Sequence, residues 1–85
     1  MARYKLLFKK SVAKDLRSLP KNDVLNILER IDALSEEPRA VDCKKLSGQE
    51  FYRVRQGVYR IIYEIVDDQL VVHVIKVTHR SRSYK

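Results

Sequence analysis

The sequence predicts an α+β domain: a mainly antiparallel β-sheet with an N-terminal helical hairpin packed on one face. Three observations predict it. Apolar residues recur at helical spacing between residues 11 and 34. Strand-forming residues separated by turn signals fill residues 51–77. A chain of 85 residues has room for one domain spanning residues 1–85, with one modest core.

Taken in order, residues 3–8 alternate, with Tyr4, Leu6 and Phe8 on one side and Arg3 and Lys5 on the other, the pattern of a half-buried strand. Ser11 is the expected N-cap of a short helix, in which Val12, Leu16 and Leu19 recur before Pro20 stops it. Asn22 or Asp23 is expected to cap a second helix, whose apolar stripe is Val24, Ile27, Leu28, Ile31 and Leu34. The run Glu36-Glu37-Pro38 ends it. Residues 39–50 read as a connection in which Leu46 plugs the core and Gly48 permits a tight turn. Lys44 and Lys45 read there as solvated loop residues with a secondary role in holding phosphate.

Residues 51–63, FYRVRQGVYRIIY, read as a β-hairpin reversing at Gln56-Gly57. That turn sets Arg55 opposite Val58, Arg53 opposite Arg60 and Phe51 opposite Ile62. Arg53, Arg55 and Arg60 then share one face. Tyr52, Val54, Tyr59, Ile61, Tyr63 and Ile65 take the other, which reads as core. Asp67-Asp68-Gln69 marks a further turn. Residues 70–77 are apolar on both faces except for His73 and Lys76, as in a central strand, with His73 partly buried and hydrogen-bonded. Residues 78–85, THRSRSYK, carry His79, Arg80, Arg82 and Tyr84 and by composition read as a basic tail.

Lys and Arg number 18 against 11 Asp and Glu, a formal charge of +7. This balance points to a polyanionic partner, nucleic acid first and an acidic protein second. The single cysteine, Cys43, excludes a disulfide framework, and with only two histidines a structural zinc set cannot be assembled. No metal or cofactor is therefore expected. No apolar run resembles a signal sequence or a membrane span, so a cytoplasmic protein without membrane contact is expected. Arginine forks suit phosphate, a tyrosine ring can stack a base, and a histidine can move a proton near neutrality. Together they describe one candidate chemistry, a single-stranded RNA site in which the 2′-hydroxyl attacks the adjacent phosphate.

Three pieces carry a family resemblance: KKLSG at residues 44–48, FYRVRQGVYRIIYEI at residues 51–65 and KVTHRSRSY at residues 76–84. Together they resemble the RelE side of the RelE/ParE toxin superfamily, over nearly the whole chain. The resemblance implies a RelE-like fold, similar to microbial ribonucleases. It also implies the toxin of a type II toxin–antitoxin system, a ribosome-dependent endoribonuclease that cuts messenger RNA in the A site and halts translation. The implied partners are a cognate antitoxin and the ribosome. Matched to the family's motifs, Arg53, Arg55 and Arg60 hold the scissile phosphate, Arg80 stabilises the leaving group and Tyr84 stacks a codon base. His79 is a candidate proton carrier, and Lys44, Lys45 and Arg82 are candidate RNA contacts. The best-known members carry lysines at the positions of Arg53 and Arg55. An arginine does not give up its proton, so a lysine-as-base mechanism does not transfer. Two alternatives stay open: a ParE-like gyrase inhibitor that acts by binding, and a degenerate module that binds only its antitoxin.

Overall fold

Apolar spacing of three and four residues closes the first half of the chain into two helices, and period-two alternation spreads the second half into a sheet. The computed structural model describes residues 3–46 and 51–79. Strand β1 (Lys5–Phe8) leads into helices α1 (Lys10–Arg17) and α2 (Lys21–Leu34). Strands β2 (Lys44–Lys45), β3 (Phe51–Gln56), β4 (Tyr59–Val66) and β5 (Val71–His79) follow. One 3-10 turn at Asp67–Gln69 joins the last two, as the acidic turn signal anticipates. The strand order is β1-β5-β4-β3-β2, with β1 parallel to β5 and every other pairing antiparallel.

The core lies between the helices and one sheet face. Val12, Ile27, Ile31 and Leu34 meet Val54, Tyr59, Ile61, Tyr63, Val72, Val74 and Val77 there. Each aliphatic side chain buried in this way contributes about 1.5–3 kcal/mol relative to an exposed one. Tyr63 is fully buried because its hydroxyl donates to the carbonyl of Pro38 at 2.6 Å. Its ring stacks on Tyr52 at 5.9 Å, and the Arg39 guanidinium lies 5.7 Å over the Tyr52 ring. Arg39 also forms a two-pronged pair with Asp67, which accepts a third hydrogen bond from Tyr4.

Several expectations are corrected. Ser11 sits inside the first turn of α1 rather than at its cap, and neither helix has a side-chain cap hydrogen bond. Asp23 instead accepts from the Tyr59 hydroxyl at 2.8 Å, fastening α2 to the hairpin. Leu28 is exposed because the buried stripe of α2 narrows to Ile27, Ile31 and Leu34. Phe8 lies at the end of an edge strand and is exposed too. Leu46 is half-buried and outside the core cluster, and Gly48 lies outside the described residues. Lys44 and Lys45 form an edge strand rather than a loop. Strand β5 is interior but not central, since β4 holds the middle, and Thr78 and His79 extend it. Leu70 precedes the strand in the left-handed region, with φ 53°.

The hairpin turn falls on Gly57-Val58, one residue later than expected. Among the described residues only Leu70 and Gly57 have positive φ, and Gly57 stands at 60°. Positive φ at the first central residue alone is the pattern of a type II′ turn, which asks for glycine first. The expected turn would have put Gln56 first, where a side chain is disfavoured. Nothing lies within 4 Å of a Cβ added at Gly57, so backbone conformation sets the requirement rather than space.

Candidate nucleic-acid interface

A one-residue displacement of the turn moves each cross-strand pair by two. Because sheet sidedness has a period of two, the predicted faces survive while the pairs change. Arg55 now opposes Arg60, Arg53 opposes Ile62 and Phe51 opposes Glu64. In a two-residue hairpin the pair beside the turn is hydrogen-bonded, here Gln56 with Tyr59. The next pair, Arg55 and Arg60, is therefore the close kind, with Cα atoms about 4.5 Å apart.

The face turned away from the helices collects these residues into two rows. One runs Lys44, Arg53, Ile62, Lys76 across β2, β3, β4 and β5. The other runs Arg55, Arg60, Thr78. Ile62 is only 5% exposed, an apolar floor between Arg53 and Lys76. The Nε of Arg53 is buried and has no hydrogen-bond partner among the described residues. A buried donor left unsatisfied costs about 1–3 kcal/mol. Glu64 shares the face in the next row, two residues from Ile62 along β4 and diagonal to Arg53, where it opposes Phe51 and lies 3.7 Å from His73. No carboxylate stands in either cationic row.

A bulge decides the place of Lys76. The pairing passes from Ile62–Lys76 to Tyr63–Val74, so Ile75 is an extra residue on β5. Val72 and Val74 face the core, and uninterrupted alternation would turn Lys76 toward it. The bulge puts Val77 inward instead and Lys76 outward. The backbone amide of Val77 points to the edge that β1, ending at Phe8, leaves unpaired, and donates to Asp15 of α1 at 3.3 Å. Sequence reasoning noted Lys76 only as a break in an apolar run. A polar residue within such a run is the one available signal, and it does not say which side the residue takes.

Other site expectations divide. Lys44 pairs with Arg53 and joins the cationic face, whereas Lys45 pairs with Tyr52 and falls on the helix side. His79 is not brought to the arginines. It pairs with Tyr59, and its ring lies edge-on to that ring at 5.6 Å, again on the helix side. Arg80, Arg82 and Tyr84 lie outside the described residues. Since Thr78 pairs with Arg60, the chain leaves β5 at the arginine end of the sheet. The described residues hold no group of three or more metal-ligating side chains and no helix long and apolar enough to cross a membrane.

The family model described as the ParE toxin of the type II toxin–antitoxin system parDE matches residues 6–84. The chain belongs to the RelE/ParE toxin family. Within it the named relatives stand on the RelE side. Toxin RelE3 of Methanocaldococcus jannaschii is 34% identical over 89 residues, covering 94% of this chain and 94% of the relative. The mRNA interferase toxin RelE of Escherichia coli is 31% identical over 83 residues, covering 94% and 86%. The toxin–antitoxin complex RelBE2 of Mycobacterium tuberculosis contains a chain that superposes with a TM-score of 0.85 at 29% identity, over 96% of this chain and 97% of that one. This protein is thus a RelE-like toxin of a type II toxin–antitoxin system, with the RelE fold. The gyrase-directed alternative is not favoured by these relatives.

Proposed function

We propose that this toxin is an endoribonuclease that cuts messenger RNA in the ribosomal A site. The observation that carries the reading is the opposed Arg55–Arg60 pair, with Arg53 beside it and no carboxylate in either row. The name of the Escherichia coli relative supports the same activity.

The chemistry follows from these side chains. The 2′-hydroxyl of one nucleotide gives its proton to water and bonds to the adjacent phosphorus, while the bond from phosphorus to the 5′-oxygen of the next nucleotide breaks. That oxygen takes a proton from water, a 2′,3′-cyclic phosphate is left, and negative charge gathers on the phosphate oxygens on the way. Arg55 and Arg60 neutralise it with fixed forks, and Arg53 holds phosphate beside them. Arg80 stabilises the leaving oxygen, and Tyr84 stacks a base of the codon. Lys44 and Arg82 hold the flanking backbone. His79, against Tyr59 on the helix side, is left out, as is Lys45. Neither His73 nor His79 stands in the two cationic rows, and the proposed catalysis rests on alignment and charge stabilisation. That need for alignment is why the ribosome, which presents the message in one geometry, is the proposed partner in cleavage.

The Mycobacterium tuberculosis relative is solved within a toxin–antitoxin complex, and we assign this chain a cognate antitoxin as well. A partner of that kind orders on binding, so part of it is unfolded when free.

Translation in vitro with mapping of message ends tests the reading. Cuts within A-site codons, and slow cutting of the same RNA without ribosomes, are expected. An intact message, or equal cutting of naked RNA, overturns it.

A further inference from the structure

Lys76 stands where a stability argument would not put a cation. It shares a face with Arg53, Arg55 and Arg60, and the bulge at Ile75 turns it there. A carboxylate at this position would relieve the repulsion among the arginines. The chain adds another positive charge instead. Its row and the arginine row lie two residues apart along the strands, about 7 Å.

We infer that Lys76 binds phosphate, and that Arg53 and Lys76 form a second phosphate subsite beside the Arg55–Arg60 pair. The inference rests on reading this face as an RNA site, and deepens it: the ligand is a strand with consecutive phosphates rather than a single anion. Arg53 and Lys76 stand on strands two apart, roughly 10 Å between backbones, a span that two long side chains close over Ile62. The buried Ile62 excludes water from beneath the phosphate, which strengthens each ion pair above it. The terminal guanidinium nitrogens of Arg53 supply donors to the same subsite. Lysine suits this place because a point charge accepts a flanking phosphate in several orientations, whereas the reacting phosphate next to it is held by forks.

The test is salt-dependent binding of a short single-stranded RNA made fully 2′-O-methyl, which cannot be cut at a 2′-hydroxyl. Each phosphate contact on a single strand contributes about 0.7 to the slope of log affinity against log salt. Lys76→Ala should lower the slope by about that amount and weaken binding several-fold at low salt. Lys76→Arg should retain both, and Lys14→Ala, on the exposed side of α1, should change neither. Lys76 is exposed, so Lys76→Ala should melt with the unmodified protein. If Lys76→Ala binds with an unchanged slope while Arg53→Ala loses it, Lys76 is outside the site and the second subsite is wrong, although the RNA face stands. If the unmodified protein shows no salt-dependent binding at all, the subsite and the RNA reading fall together.

Discussion

Arg55 and Arg60 face each other across the hairpin in its closer type of pair. Directly opposed like charges cost on the scale of other cross-strand pairs, about 0.2–1 kcal/mol. An anion between them turns the repulsion into shared attraction. Arg55→Ala should accordingly leave the melting temperature unchanged or slightly higher. Sulfate should stabilise the unmodified protein more than this variant, by binding linkage, in a thermal melt with and without the salt. Equal protection of both would remove Arg55 from the site. Tyr84 is the other residue to test directly. A stacking role predicts that Tyr84→Phe keeps most of the affinity for single-stranded RNA and that Tyr84→Ala loses about 1–3 kcal/mol of it. Equal damage from both would assign the work to the hydroxyl. The sidedness of the arginines was legible because FYRVRQ and YRIIY alternate strictly and the turn contains a glycine. The pairing was not, because it depends on whether Gly57 stands first or second in the turn. That choice is a matter of the sign of φ at Gln56.

Elements tell a similar story. Both helices, the hairpin and the last strand can be read from periodicity, and they were placed within a few residues. Three features were hidden. The two-residue strand β2 has no period to show, and exists because β3 offers it an edge. The parallel pairing of β1 with β5 is a long-range choice. The bulge at Ile75 breaks an apolar run in which either side would look equally good. That bulge leaves the Val77 amide at an edge, and Asp15 supplies its acceptor. Asp15→Ala should therefore speed hydrogen exchange at the Val77 amide and cost about 1–3 kcal/mol in denaturant unfolding, the penalty of a half-buried donor left unpaired. Unchanged exchange at Val77 would mean that the contact with α1 does not hold the end of β5.

For the whole molecule, one cluster ties distant parts of the chain. Asp67, in the turn after β4, takes hydrogen bonds from Tyr4 at the start of the chain and Arg39 after α2. Arg39, and then Tyr4, hold its carboxyl down at about 2. A carboxylate lowered in the folded state contributes stability that is fully present above its unfolded value and is lost as pH falls through the folded one. Here that loss runs from 3.8 down to about 2. Asp67→Asn should be less stable than the unmodified protein at neutral pH, and the difference should shrink across that acid window. A difference independent of pH would mean that the carboxylate charge contributes nothing.

The sheet's two faces divide labour, with a core built on one and cations arrayed on the other. The central claim is that this second face cuts RNA through arginines that do not build the fold. The most direct measurement is the single-turnover rate at which a message in the ribosomal A site is cut by the unmodified toxin and by Arg55→Ala, with both melted in parallel. The account predicts a rate reduced by a factor of about 100 or more, the scale seen when one charge-stabilising donor is removed, at an unchanged or higher melting temperature. An unchanged cleavage rate, or a lower rate matched by an equally lowered melting temperature, would contradict it.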